Sequence, residues 1–375
     1  MNKKFTSLGL MSGTSGDGVD ASVINSDGKT EFKVIKDEYF EYDQVIRQNI
    51  HDIKEKIHNI NDLKKYKNEI NDLERVITLF HAKIAKNFLN NGNIDFIGFH
   101  GQTIYHNSKE KISKQIGNGK LFSELIKKTV IFNFRQNDIK NGGEGAPLSP
   151  LFHQLIATQN KIELPICIMN IGGISNITVI HEPIGSFGSL KSRDIGPGNC
   201  LIDTWIRKNS THNFDKGGLI ADRGVINEII LEQAQELFAN SQDIGTKTYD
   251  VNDFDVSFAR GLSLEDGAKT LTDFTGTIIG TTLTSILLNE NFKNWKILIC
   301  GGGRKNKTLI ETIKKNCSKY FTIEPIDNYG VNGDFVESQA FAFLSIRTFL
   351  KLPLSFPSTT GCKKPTLGGE IVEFK

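Results

Sequence analysis

The chain has 375 residues, with 45 basic against 43 acidic side chains and a net charge of +2. Hydrophobic residues make up 38% and charged residues 23%, the composition of an ordinary globular protein long enough for two domains. A charge so nearly balanced gives no electrostatic reason to expect nucleic acid or an anionic membrane as a partner.

The five cysteines (Cys167, Cys200, Cys300, Cys317, Cys362) form no C-x-x-C pair, and none has a histidine at zinc spacing. Cys167 and Cys300 fall within apolar runs, as buried reduced thiols do, which fits the cytoplasm. The apolar stretch after Lys3 and Lys4 is too short for a signal peptide, and no run approaches a membrane span.

In chain order, residues 5–35 read as three short strands. They are separated by the polar loop 12–18 and by the turn Asn25-Ser26-Asp27-Gly28. Residues 44–90 read as helices, with Leu73, Val76, Ile77, Phe80, Ile84 and Phe88 on one face. The lysine-rich run "KEKIHNINDLKKYKNE" reads as a solvated face. "IDFIGFH" (94–100) and "VIFNF" (130–134) are short buried strands with the helix "KLFSELIKKTV" ahead of the second. Near residue 160 a second unit begins. "PICIMNIGGISNITVI" repeats the shape of 8–24: an apolar strand, a small-residue turn and an alternating strand. A third strand around 187–194, the strand-turn-helix "KILICGGGRKNKTLIETIKKN" and a helix over 333–351 follow. Two halves built this way predict a duplicated α/β fold, with ligands at the strand ends and between domains.

Several stretches carry residues suited to chemistry. In "SGTSGDG" (12–18), small residues expose backbone N–H groups that can nest an anion, and Thr14 and Ser15 add hydroxyls. Asp17 is acidic where a phosphate would sit, which suits Mg²⁺ between them; the plainer alternative is a glycine-rich hairpin. In "RDIGPGNCLIDTW" (193–205), Asp194 precedes a Gly196-Pro197-Gly198-Asn199 turn at a helix N-terminus, where a phosphate or a simple cap fits. "ICGGGRKN" (299–306) suits a flat ligand. "FHGQTIYH" (99–106) brings His100, Gln102 and His106 together, and "NFRQNDIKNGGEGAPLSPLFH" (133–153) offers Arg135 as a clamp for an anion, or as an ion-pair partner in a loop.

Taken in order, "GLMSGTSGDGVD", "GFHGQT", "NFRQNDIKNGGEGAPL", "NIGGISN", "DIGPGN", "CGGGRKN", "GDFVESQAFAFL" and "PSTTGCKKPTLGG" resemble the anhydro-N-acetylmuramic acid kinases. Those belong to the superfamily of sugar kinases, heat-shock chaperones and actin. The resemblance implies a two-domain actin-like (ribonuclease H-like) ATPase fold with an interdomain cleft, each domain a mixed sheet flanked by helices. Domain I is expected at 1–155 plus about 352–375, and domain II at 156–351. It implies a kinase that opens 1,6-anhydro-N-acetylmuramic acid with water and phosphorylates O6, using ATP and Mg²⁺, in cell-wall sugar recycling.

By the same resemblance, Gly13, Thr14, Ser15, Gly16, Asp17, Gly18, Val19 and Asp20 form the first phosphate loop, with Asp17 at the metal. Gly196, Gly198 and Asn199 form the second, and Gly301, Gly302, Gly303 and Asn306 the adenosine side. His100, Gln102, Arg135 and Glu337 serve the sugar, and Asp194 is the general base. The chain departs from the family pattern at Gly16 (usually Leu), at Asn133 (usually Asp) and at Arg304-Lys305 (usually Ser or Ala, then Arg). Asn133 is expected to lower activity or shift substrate preference. A homodimer remains open. So do a kinase of the same fold for another sugar or acid, and a non-catalytic nucleotide-dependent binding protein.

Overall fold

The first apolar run folds as β1 (Phe5–Ser12) and returns antiparallel as β2 (Gly18–Ser26), pairing Phe5 with Ser26 through Met11 with Asp20. β3 (Phe32–Glu41) extends the meander antiparallel to β2. β4 (Phe96–Asn107) and β6 (Thr129–Phe132) add in parallel on the other side of β1, each reached through helical segments as parallel pairing requires. β5 (Ile112–Ile116) forms a hairpin on β4, and β12 (Glu370–Val372) closes the edge antiparallel to β6. Among the residues the computed structural model describes (3–90, 92–107, 109–241 and 248–374), this is a seven-stranded sheet in the order β12-β6-β4-β1-β2-β3.

The second sheet repeats the plan. β7 (Ile166–Ile171) and β8 (Ile174–Ile180) are neighbours joined by Gly172-Gly173 alone, a link short enough only for an antiparallel hairpin. β9 (Leu190–Pro197) lies beyond β8; β10 (Lys296–Cys300) and β11 (Thr322–Pro325) add in parallel on the far side of β7. The order β9-β8-β7-β10-β11 matches β3-β2-β1-β4-β6 strand for strand. Two mixed sheets flanked by helices, in the same order, are the duplicated α/β fold that the sequence predicts.

By contacts the chain divides into residues 1–164, 180–192 and 334–375, and residues 165–179 and 193–333. These limits differ from 1–155 with 352–375 and 156–351. The main difference is the helix Val336–Phe349, which lies on the first sheet. Gly9 on β1 and Gly98 on β4 admit it: a Cβ at Gly9 would stand 2.0 Å from the Ser338 carbonyl oxygen, and one at Gly98 would stand 2.5 Å from that of Phe341. In the second unit the helix Leu264–Leu288 is long and apolar enough to span a membrane by length and composition, contrary to the reading that no run approaches one. Its apolar window is 61% buried, and Leu271, Phe274, Ile279 and Leu283 belong to the core around Cys167, Met169 and Ile297.

Candidate active site

Between β1 and β2 the chain makes a turn in which the Gly16 N–H donates to the Gly13 carbonyl (3.2 Å). Gln102, fully buried on β4, holds this turn from below. Its amide donates to the Gly13 carbonyl (2.9 Å) and to its neighbour's at Thr103, and its oxygen accepts from Ser12 Oγ (2.5 Å). Tyr42 in turn donates to Ser12 Oγ (3.1 Å). Lys54, on the helix Gln44–Lys56, donates to the Thr14 carbonyl (2.7 Å). The lysine-rich run is therefore not solvated throughout; its first member grips the loop. Asp17 Oδ1 is buried with no hydrogen-bond partner among the described residues, an unused acceptor on a carboxylate. Val19 is buried in β2, and Asp20 is the partly exposed residue after it.

His100 and Gln102 lie within β4, which continues to Asn107, and not at a strand end as expected. The register slips between Leu10 and Met11, so that β1 pairs with Phe99 and then Gly101. His100 is the extra residue of this bulge, which re-aims its ring. Nδ1 faces the Gly101 carbonyl (2.9 Å), so it carries the proton, and Nε2 accepts from Arg135 Nε (3.2 Å) and Nη2 (3.0 Å). Burial, then the Arg135 charge, hold His100 well below the ordinary histidine range. Arg135 Nη1 donates to the Gly145 carbonyl (2.8 Å). His100 thus aims the guanidinium. Glu337, in the first turn of the helix Val336–Phe349, is partly exposed; burial raises its carboxyl, and the Arg135 charge opposes the rise. Asp138 orders the glycine loop nearby: it accepts from the Gly145 N–H (2.8 Å), from Thr360 Oγ1 (2.7 Å) and from Ser355 Oγ.

In the second unit, Asp194 lies within β9, which runs on to Pro197, so it does not end the strand. It is 6% exposed, and Oδ2 accepts from the Tyr249 N–H (2.8 Å). The next corner is closed by backbone. Gly198 and Cys200 donate to the Gly173 carbonyl (2.9 and 3.2 Å), and Asn199 donates to that of Gly172 (2.7 Å). The N–H groups expected to receive a second phosphate from Gly198 and Asn199 are therefore taken. The Gly172-Gly173 turn, absent from the residues predicted for the site, stands at the place in the second sheet that 13–17 holds in the first, and "NIGGISN" carries its signal as an echo of 8–24. The 301–303 turn converges there: a Cβ at Gly303 would stand 2.2 Å from Ile171 and 3.0 Å from Asn199 Oδ1, while Gly302 faces open space. Asn306 caps the helix Lys307–Asn316 through the Leu309 N–H (3.0 Å), so its carbonyl oxygen is committed. Beside it lies the Gly217-Gly218 turn, held by Thr308 Oγ1 donating to the Gly218 carbonyl (2.9 Å).

The departures from the family pattern have local partners. Gly16 adopts φ +70°, and a Cβ there would stand 2.9 Å from Ile50 Cγ2. Asn133, also left-handed at φ +55°, donates to Glu370 Oε1 on β12 (2.5 Å), where an aspartate would face a like charge. Arg304 forms a two-pronged pair with Asp327 (2.8 and 2.9 Å) and donates to the Gly301 carbonyl (3.1 Å), bracing that turn.

The family model for anhydro-N-acetylmuramic acid kinase matches residues 5–373. A relative of that name from Pelagibacter ubique is 52% identical over the whole of both chains. One from Agrobacterium fabrum is 36% identical over 99% of this chain and all of its own. Among solved structures, a ROK family glucokinase from Streptomyces griseus in complex with glucose and AMPPNP covers 90% of this chain and 98% of its own at 10% identity, with a TM-score of 0.41. Matched from the first strand to the last and half identical along its full length to a curated member, the chain belongs to the anhydro-N-acetylmuramic acid kinase family.

Proposed function

We propose that this chain is an ATP-dependent carbohydrate kinase that opens 1,6-anhydro-N-acetylmuramic acid with water and phosphorylates O6, giving N-acetylmuramic acid 6-phosphate and ADP. The full-length family match carries this reading. Asp194 takes a proton from the water that attacks C1; the C1–O6 bond breaks, and O6 forms the new bond to the γ-phosphorus as ADP leaves. The phosphoryl group receives the departing oxygen, so a single carboxylate serves where glycosidases use two. Burial of Asp194 and the Tyr249 N–H hold the carboxylate in one orientation.

The 13–18 turn and the Gly172-Gly173 turn are the phosphate loops, and the 301–303 turn is the adenosine side. The buried, unused Oδ1 of Asp17 fits Mg²⁺, directly or through a bound water. When bound, the ion supplies charge neutralisation on the phosphates. Arg135, aimed by His100, and Glu337 serve the sugar and its lactyl carboxylate; Gln102 acts through the loop it holds. The five free cysteines fit work in the cytoplasm, and the reaction would serve cell-wall sugar recycling.

A coupled ADP-release assay with Mg·ATP, with and without the anhydro sugar, tests this reading. Sugar-dependent release of ADP with a 6-phosphate product is expected, reduced by about 10² or more in Asp194→Asn. Folded, ATP-binding protein with no turnover would move the search to other sugars. Full activity in Asp194→Asn would remove that residue from the chemistry.

A further inference from the structure

We infer that Lys54 is a positioning residue for nucleotide, setting the direction of the Ser15 N–H by holding the carbonyl of Thr14. This rests on the reading of residues 13–18 as a phosphate loop. A trans peptide points its C=O and its N–H in opposite directions. Gln102 holds the Gly13 carbonyl (2.9 Å), so the Thr14 N–H points away from it; Lys54 Nζ holds the Thr14 carbonyl (2.7 Å), so the Ser15 N–H points away from that. Thr14 and Ser15 are partly exposed, and neither N–H has an acceptor within the described residues. Two neighbouring donors turned outward make an anion nest.

The Thr14–Ser15 peptide is the centre of the turn closed by Gly16 N–H and the Gly13 carbonyl. It is the unit whose rotation interconverts turn types and reverses that N–H. The helix that carries Lys54 meets the loop at two further points. Tyr42, just before it, donates its N–H to the Asp17 carbonyl (2.9 Å). Ile50, one helical turn before Lys54, occupies the space over Gly16, where the family pattern has leucine. Glycine at 16 removes a side chain that would brace the turn from within. The i, i+4 pair Ile50 and Lys54 braces it from outside.

The test uses the whole protein. Lys54→Met should raise KM for ATP and Kd for ADP about tenfold, the cost of losing a charged donor, with KM for the sugar and the melting temperature unchanged. Lys54→Arg, which keeps a charged donor, should recover most of the loss. In nucleotide-free protein, exchange of the Gly16 N–H, which closes the turn on the Gly13 carbonyl, should be faster in Lys54→Met; unchanged exchange would overturn the inference, because a lysine acting only on bound phosphate has no effect there. Gly13→Val is the control for the loop itself. A Cβ at Gly13 meets nothing within 4 Å, which leaves the side chain room in the fold; if 13–18 is a phosphate loop, the added bulk beside the Thr14 N–H should hinder the anion. Weak nucleotide binding by both variants supports the inference. Weak binding by Gly13→Val alone overturns it and leaves the phosphate loop in place. Normal binding by both removes the phosphate loop and the inference together.

Discussion

The first hairpin turns of the two sheets answer one need by different means. At 13–16 the inward carbonyls are held by side chains, Gln102 and Lys54, borrowed from a strand and a helix elsewhere in the unit. At 172–173 they are held by the backbone N–H groups of 198–200. Both arrangements occupy the carbonyls on one side of a turn, which leaves the amides that follow them facing the other. A side-chain tie can be cut by substitution; a backbone tie can be broken only by forcing the two chains apart. The first unit is thus open to tuning at its loop, as Gly16 illustrates, while the second is protected by its own main chain.

The units differ most in acid. His81 is held at about 4, and His106 and His153 at about 3, each mainly by burial; His100 also lies well below the ordinary 6.5. All four belong to the first unit. They are neutral when folded and protonate on unfolding, so the unfolded state binds more protons as pH falls. Their stability is fully present above pH 6.5 and is lost as pH drops from there toward 4 and 3, at about 1.4 kcal/mol per pH unit for each histidine. Exchange protection, measured against the intrinsic rate at each pH, should therefore fall between pH 7 and pH 5.5 in β1, β4 and the helix Lys67–Leu89 well before it falls in β7 and β10. An equal loss of protection in both sheets would deny the asymmetry.

Gly198→Ala should be the next largest effect. Its Cβ would stand 2.2 Å from the Gly172 carbonyl oxygen and pry the second turn from its backbone clamp. Overpacking of this kind costs about 1–3 kcal/mol, and kcat/KM should fall by ten- to a hundredfold. A near-normal kcat/KM would show that the second turn needs no such clamp. Gln102→Leu, which cuts a side-chain tie, should act more narrowly. KM for ATP should rise about tenfold, while exchange in β7 and β8 stays as in the parent protein. Loosening of both sheets by Gln102→Leu would mean that the two clamps are not independent.

Local order and chemistry are written close together along the chain. The alternation of Val19, Ala21 and Val23 and the repeat of strand, glycine turn and strand predict two similar α/β halves from short-range rules alone. Motifs in order along the chain were enough to point to the family. Other assignments depend on partners far away in sequence, and no periodicity carries them. Lys54 lies in a lysine-rich run whose other members look the same; only folding brings it to Thr14, forty residues away. His100 reads as a strand-end histidine until a one-residue slip against β1 turns it to Arg135. The hydrogen bond from Asn133 to Glu370 spans most of the chain and exists only because β12 pairs with β6. The helix Val336–Phe349 has an apolar face that would suit either sheet, and Gly9 and Gly98 decide the matter by leaving room on one of them. The sequence by itself determined the elements, their repeat and the family, because those follow from neighbours within a few residues. Only the tertiary structure decided which carbonyls are tied and which amides stay open, because a hydrogen bond across forty or ninety residues exists only once both ends are in place.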